Sequence, residues 1–307
     1  MNAMLTEINE IPMKAREFMK LSSSYVLPLR VPYLGMGSSY FAALAFKYIG
    51  IDIYPEIASE YFYYLANENK FPKGVILSQS GRSSETLWCK DLFDEYVAIT
   101  NDPDSPLGQS KNATTIVPIL AGVEQTSSSK TYINTLLALF KGFGLDANHA
   151  VGLLQEKISE YDQLGKKMAT EVFDLITHKE IQGMYVVGSG PNVATAYEAS
   201  LILSESSKLC FSGMPMAQYD HGHKETAANS IVIQIVAKGK VYERAQKLTE
   251  TVAKAGAHVI TVEEPAIEEK FSVLHNIVVF NYMAYYLTRK LGIPDTFFSV
   301  GGKVTEV

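Results

Sequence analysis

The stretch ILSQSGRSSET, Ile76 to Thr86, sets five hydroxyl side chains, one glycine and one arginine directly behind an apolar run. Such a stretch suits a phosphate group. A dianion is held well where a strand turns into a helix: the turn offers free backbone N–H groups, the helix N-terminus is electropositive, and hydroxyls stand by as donors. Ser78, Gln79 and Ser80 leave the strand, Gly81 permits close backbone approach, and Ser83 or Ser84 is placed to cap the next helix while still facing the anion. Arg82 adds charge. The same residues also read as a serine-rich turn in which Ser83 and Thr86 make a partial capping box.

The loop needs a strand before it and a helix after it, and the chain supplies both twice. Apolar strand, glycine turn and amphipathic helix follow one another in VPYLGMGSSYFAALAFKYIG from Val31 and again in MYVVGSGPNVATAYEASLILSE from Met184, so the chain reads as an internal duplication. With Gly35 and Gly37 set on Gly188 and Gly190, each copy continues to a short extended segment, IDIYPEIASEYF or KLCFSGMPMAQYDHG, and then to an apolar strand. The first copy goes on through GVILSQ, a helix over SSETLWCKDLFDEY and the strand YVAIT; the second through SIVIQIVAKGK, VYERAQKLTETVAKAG and AHVITVEE. Strands alternating with helices at this rhythm predict an α/β fold of two tandem doubly wound domains, each a parallel sheet covered by helices on both faces. The expected boundaries are 1–145 for an N-terminal helix and the first domain, 146–180 for a helical linker, 181–290 for the second domain, and 291–307 for a tail.

The duplication is its own control. Where the first copy has VILSQSG the second has VIQIVAK, so Ile235, Val236 and Ala237 stand opposite Ser78, Gln79 and Ser80. A purely structural turn has little reason to be serine-rich in one copy and apolar in the other, which favours one anion site, built on the first domain. The composition is that of an ordinary globular protein: 307 residues, 47% hydrophobic, 20% charged, net charge −6. That charge argues against a nucleic-acid surface. Two cysteines, Cys89 and Cys210, make neither a disulfide framework nor a zinc cluster and fit a reducing cytoplasm. The start MNAMLTEINEIPMKAREFMK lacks the apolar core of a signal peptide, and no apolar run reaches bilayer-spanning length, so a soluble protein away from membranes is expected.

With these residues in place, the chain resembles the sugar isomerase (SIS) family, in particular the tandem-domain isomerase half of glutamine:fructose-6-phosphate amidotransferase and the SIS-type aminosugar-phosphate deaminases and deglycases. The likeness runs over nearly the whole chain. It implies that Ser78, Gln79, Ser80 and Ser83 hold a substrate phosphate, with Gly37, Ser38 and Ser39 of GMGSSY at the family's first glycine turn. AGVEQTSSSKTY resembles the family's substrate-lining helix start, one residue shorter, which makes Ser128 a sugar contact. In the second domain Glu205 matches the proton-transfer glutamate, His221 the histidine that assists ring opening from a neighbouring subunit, and Lys303 a terminal-loop lysine that forms an imine with the ketose in the synthase. No cofactor and no metal is implied.

The residue types suit that chemistry. Moving a proton between C1 and C2 of a phosphosugar needs one base reaching both carbons, and a carboxylate partly withdrawn from water has a raised proton affinity. Histidine titrates near neutrality, as ring opening requires, and lysine beside a carbonyl acts as an imine-forming amine or as a cation. Other readings stand beside these. Glu205 is also a solvated helix glutamate, although Leu201, Ile202 and Leu203 make its surroundings apolar; Asp220, His221 and His223 have a spacing found in metal sites; Lys303 is also a solvated terminus. Two departures from the family pattern matter. From the start MNAMLTE no glutaminase domain is expected, and Ile202 stands where the synthase has a lysine three residues before its glutamate.

The expected activity is conversion of glucosamine 6-phosphate to fructose 6-phosphate and ammonia. An ammonia-dependent synthase-like isomerase, a deglycase acting on a sugar-amine phosphate, and a sugar-phosphate sensor without chemistry are the alternatives. The resemblance implies a homodimer with composite sites, His221 reaching into the partner's. Mixing Glu205→Gln with His221→Ala protein under subunit exchange is then expected to restore up to about half of one dimer's activity, since one site of each heterodimer keeps both groups. Exchange shown by mass measurement without recovery would place His221 in its own subunit's site or outside the chemistry.

Overall fold

The computed structural model describes residues 2–22, 24–66, 71–294, 298, 300 and 302–305. Contacts divide the chain into two compact units. The first begins at Glu10, ends at Gly152 and takes back the tail from Phe298; the second comprises the residues up to Asn9 and those from Leu153. The N-terminal helix thus groups with the second sheet and the tail with the first, and residues 295–297, 299, 301, 306 and 307 of the tail lie outside the described residues.

In the first unit, α2 (Ile11–Met19) precedes β1 (Pro32–Gly35), α3 (Ser38–Ile49) and β2 (Tyr54–Ile57). The short α4 (Ala58–Glu60) runs into a π-helical turn, Tyr61–Leu65, and β3 (Phe71–Leu77) leads to α5 (Ser84–Cys89), β4 (Phe93–Thr100), β5 (Ala113–Pro118) and α6 (Lys130–Gly142). The sheet is parallel throughout in the order β2-β1-β3-β4-β5, the doubly wound arrangement with its switch point between β1 and β3. Strands covered on both faces must be apolar along their length, and Leu34, Ile76 and Ala98 are fully buried. Between β5 and α6 the chain crosses residues 119–129, fastened to α6 by the buried Asn134, whose amide donates to the Ile119 carbonyl at 2.8 Å.

The second unit repeats the scheme with one strand fewer. The 31-residue helix α7 (Asn148–His178) crosses the division between the units and leads to β6 (Gly183–Gly188), α8 (Asn192–Ser207), β7 (Ser212–Pro215), α9 (Met216–Asp220), β8 (Ser230–Val236), α10 (Tyr242–Lys254), β9 (His258–Glu263) and α11 (Val273–Lys290), with α1 (Ala3–Asn9) against α11. The order β7-β6-β8-β9 is parallel and repeats the first four positions of the other sheet. The fold is α/β, two parallel sheets each flanked by helices.

One expected helix is shorter than its pattern. The helix over SSETLWCKDLFDEY stops at Cys89 and, after a 3-10 turn at Lys90–Leu92, β4 begins at Phe93, so Asp94 and Glu95 are strand. Phe93 is fully buried against Gly74 of β3, where a Cβ would lie 2.4 Å from its ring, and Glu95 pairs with Lys73 across the strands at 2.8 Å. Tertiary packing of one phenylalanine therefore overrides the local helical pattern.

Gly165 on α7 shows how closely the second unit is packed: a Cβ there would stand 2.5 Å from the Tyr282 Cβ and 2.8 Å from the Met283 nitrogen of α11. Gly165→Val is expected to lower stability by ~1–3 kcal/mol through overpacking, read as a lower urea midpoint at unchanged slope.

Candidate functional site

Because all strands of the first sheet run parallel, the chain leaves β1, β3 and β5 at one edge, and each exit leads to the start of a helix. At the β1 exit Gly37, in the left-handed region at φ +48°, precedes α3, whose first residues are Ser38 and Ser39, both half-buried. The Ser39 N–H closes back on the Met36 carbonyl at 3.0 Å and the Phe41 N–H on Gly37 at 3.0 Å.

At the β3 exit the Ser78 Oγ accepts the Gly81 N–H at 3.1 Å and the Ser80 Oγ accepts the Arg82 N–H at 3.1 Å. The loop is thereby shaped by its own hydroxyl oxygens, while each hydroxyl keeps its proton as a donor. The Gln79 carbonyl accepts the Asn101 N–H at 3.0 Å, tying the loop to the end of β4. Gly81 is a glycine for two reasons: φ is +62°, and a Cβ would fall 1.9 Å from the Ser105 Oγ. Ser83 sits at the N-cap of α5, but its side chain makes no capping hydrogen bond; the Thr86 hydroxyl donates to the Ser83 carbonyl at 2.7 Å instead. The partial capping box expected from spacing does not form. Arg82 is turned toward Asp102, with a 2.7 Å ion pair between two partly exposed side chains, so its charge is shared with a residue that the sequence reading did not single out.

At the β5 exit, Glu124 was missed altogether. Its side chain is wholly buried. One carboxylate oxygen, Oε1, accepts the Ser129 N–H at 3.0 Å, the Ser129 hydroxyl at 2.7 Å and the Thr131 N–H at 3.3 Å; the other, Oε2, accepts the Thr131 hydroxyl. Lys303 Nζ reaches the same Oε2 at 3.0 Å and the Glu124 carbonyl at 2.8 Å. Ser128, half-buried, lies 3.2 Å from the Thr131 hydroxyl oxygen, and since Thr131 gives its only proton to Glu124, Ser128 is the donor of that pair. The tail has a second fastening on this unit: the Ser84 N–H, the first of α5, donates to the Thr305 carbonyl at 3.1 Å. Gly37, Ser38, Ser39, Ser78, Gln79, Ser80, Ser83, Ser128 and Lys303 all belong to the first unit.

Glu205 and His221 belong to the second. Glu205 is half-buried near the end of α8, and its carbonyl accepts the Lys208 amine at 2.6 Å. Ile202, one turn earlier, is fully buried, and Glu198 is buried on the same helix. His221 is exposed at the end of α9, its N–H donating to the Ala217 and Gln218 carbonyls. Asp220 pairs with Lys224 at 3.0 Å and Arg244 at 3.1 Å, and these bonds hold its carboxyl below the usual carboxylate range. His223, also exposed, packs its ring against Tyr185 at 6.1 Å. Asp220 is therefore engaged by cations, and among the described residues no group of three or more His, Cys, Asp or Glu could hold a metal ion.

No family model matches the chain. In sequence it is 27% identical over 301 residues to a glutamine–fructose-6-phosphate aminotransferase (isomerizing) of Arabidopsis thaliana, an alignment covering 84% of this chain and 44% of that protein. The chain thus spans less than half the length of this curated relative. In structure it is similar to a glucosamine-6-phosphate deaminase from Thermotoga maritima, with a TM-score of 0.80 at 19% identity over 99% of both chains. It is also similar to the C-terminal domain of glucosamine-fructose-6-phosphate aminotransferase from Francisella tularensis, with a TM-score of 0.76 at 19% identity over 95% of this chain and 97% of that one. At these identities the structural likeness establishes the fold.

Since the Ser83 side chain caps nothing, its removal separates ligand binding from stability. Ser83→Ala is expected to shift unfolding free energy by less than ~0.5 kcal/mol; on the reading of this loop as a phosphate site, loss of one hydrogen bond to a charged group is expected to weaken sugar-phosphate binding about tenfold or more. Calorimetric titration beside urea unfolding checks both.

Proposed function

We propose that the chain is an aminosugar-phosphate deaminase of the tandem sugar-isomerase type, converting glucosamine 6-phosphate and water to fructose 6-phosphate and ammonia. The observation that carries this reading is the hydroxyl loop Ser78–Ser83, shaped by its own hydroxyl oxygens and not engaged in side-chain capping at Ser83. Such a loop is suited to the 6-phosphate, with Ser38 and Ser39 at the adjoining turn and Ser128 on the sugar. The names of the similar proteins support an aminosugar phosphate as the substrate class.

In this mechanism His221 moves the proton that opens the ring. Glu205 takes the proton from C2 of the open aldose, giving an enolamine, and returns it to C1, giving a C2 imine; water then hydrolyses the imine and releases ammonia. Lys303 acts beside the carbonyl as a cation or an amine. Ile202 packs into the core where the synthase pattern has lysine, which argues against synthase-type isomerisation. The exposure of His221 on its own protomer suits a histidine offered to a partner, so the proposed enzyme is a homodimer with composite sites; its two cysteines suit a reducing compartment, and the cytoplasm is the proposed location. No described helix is long and apolar enough to cross a membrane.

The test is ammonia release from glucosamine 6-phosphate by the purified chain, with sugar-amino acid phosphates, and fructose 6-phosphate plus ammonia, as comparison substrates. Glu205→Gln is expected to keep sugar-phosphate binding and lose kcat by about 100-fold or more, the usual magnitude for a lost general base. Binding without turnover of any of these substrates would make the protein a sensor, and near-normal activity of Glu205→Gln would remove the proton shuttle from Glu205.

A further inference from the structure

Glu124 is a wholly buried carboxylate placed just ahead of α6, a helix of 13 residues. A buried charge is tolerated where dipoles and hydrogen bonds replace water, and this one has them: the backbone N–H groups of the N-cap Ser129 and of Thr131 in the first turn, two hydroxyls and the electropositive helix end. These groups all come from Ser129 and Thr131, within seven residues of Glu124. The carboxylate is therefore fixed in place by local structure, independently of the tail.

Lys303 comes to it from 179 residues away in the chain. The amine is the movable partner. It retains partial exposure, 23%, and two of its three protons go to Glu124, one to the carboxylate and one to the carbonyl. We propose that Glu124 is the positioning residue for Lys303: the preset carboxylate captures the tail amine and, with the Thr305 carbonyl on the Ser84 N–H, seats residues 302–305 against the starts of α5 and α6. The same carboxylate reaches Ser128 through the Thr131 hydroxyl, so one residue orients both the candidate sugar hydroxyl contact and the candidate amine. The catalytic half of this statement rests on the reading of Lys303 as a group of the sugar-phosphate site; the seating half does not.

Hydrogen exchange of residues 302–305 in phosphate-free buffer tests the seating alone. Glu124→Gln and Lys303→Met are each expected to speed exchange there by about tenfold or more, and the double variant to be no faster than either single, because both remove one interaction. Lys303→Arg, which keeps a cation for Glu124, is expected to retain protection. Should Glu124→Gln fail to fold, by circular dichroism, Lys303→Met decides, since its side chain is partly exposed and Glu124 keeps its local donors. Unchanged tail exchange in Lys303→Met, or additive effects in the double variant, would overturn the proposal.

Turnover then tests the catalytic half. Glu124→Gln, Lys303→Met and Lys303→Arg are expected to lower kcat while leaving KM within about threefold, with Glu124→Gln and Lys303→Met again non-additive. A seated tail whose three variants all keep full kcat would remove Lys303 from the chemistry and leave Glu124 as its anchor.

Discussion

A strand in a parallel sheet cannot turn back on its neighbour; it leaves at one edge, crosses a face as helix and re-enters at the other. In the first unit this constraint puts the ends of β1, β3 and β5 along one edge and starts a helix at two of them within a few residues. Everything assigned to the candidate site in that unit follows from it. The Gly37 turn, the hydroxyl loop and the approach to α6 are three uses of the same geometry, each with N–H groups that helix formation leaves unpaired. What differs is what meets them: a loop that has kept its hydroxyl donors at β3, and a carboxylate of the chain itself at β5.

The second sheet shows the same geometry turned to another end. Gly190 has φ +55° against +48° for Gly37, and Gly188 stands closer still to the next helix than Gly35 does, a Cβ falling 2.3 Å from the Asn192 carbonyl oxygen against 2.9 Å from the Ser39 backbone. Yet β8 ends in buried Ile235 and Val236, whereas β3 ends at Leu77 and passes into Ser78 and Gln79; by the pairing of each strand with β1 or β6, Ser78 falls opposite Val236, one place on from the Ile235 expected from the sequence. The carboxylate of Glu269 lies against this edge, its oxygens 3.2 Å from a Cβ built on Gly190 and as near as 2.1 Å from one on Gly239. Burial raises its pKa, with Lys240 opposing. The ionised carboxylate would repel a dianion placed beside it, so this turn suits an anion less well than the hydroxyl loop proposed for the phosphate.

The strand-turn-helix repeat was legible because each step has a local signature, an apolar run or a glycine with positive φ. The hydroxyl loop was legible because the two copies could be compared. What the sequence hid depended on distance along the chain. Arg82 finds Asp102, 20 positions on, and Phe93 is strand because Gly74 leaves room for its ring. Glu124 looks like an ordinary loop acid in AGVEQTSSSK; its role needs Lys303, which no periodicity links to it. The one available signal was an acid placed just before a helix start, where the dipole favours it.

The way the tail is held bears on how it could work. Val300 is fully exposed, and the two fastenings described for 302–305 are a salt bridge with its carbonyl contact and one backbone hydrogen bond, all polar. By contrast, α11 is held by buried side chains such as Leu274, Ile277, Phe280 and Met283, whose release would expose apolar area at ~25 cal/mol per Å². Polar fastenings can be exchanged for contacts to an anionic or carbonyl-bearing ligand with little change in buried area. On the proposed reading of Lys303 as a group of the site, a segment that admits a ligand and then presents an amine to it is better seated by such bonds than by packing, with the fixed carboxylate as the point to which the amine returns.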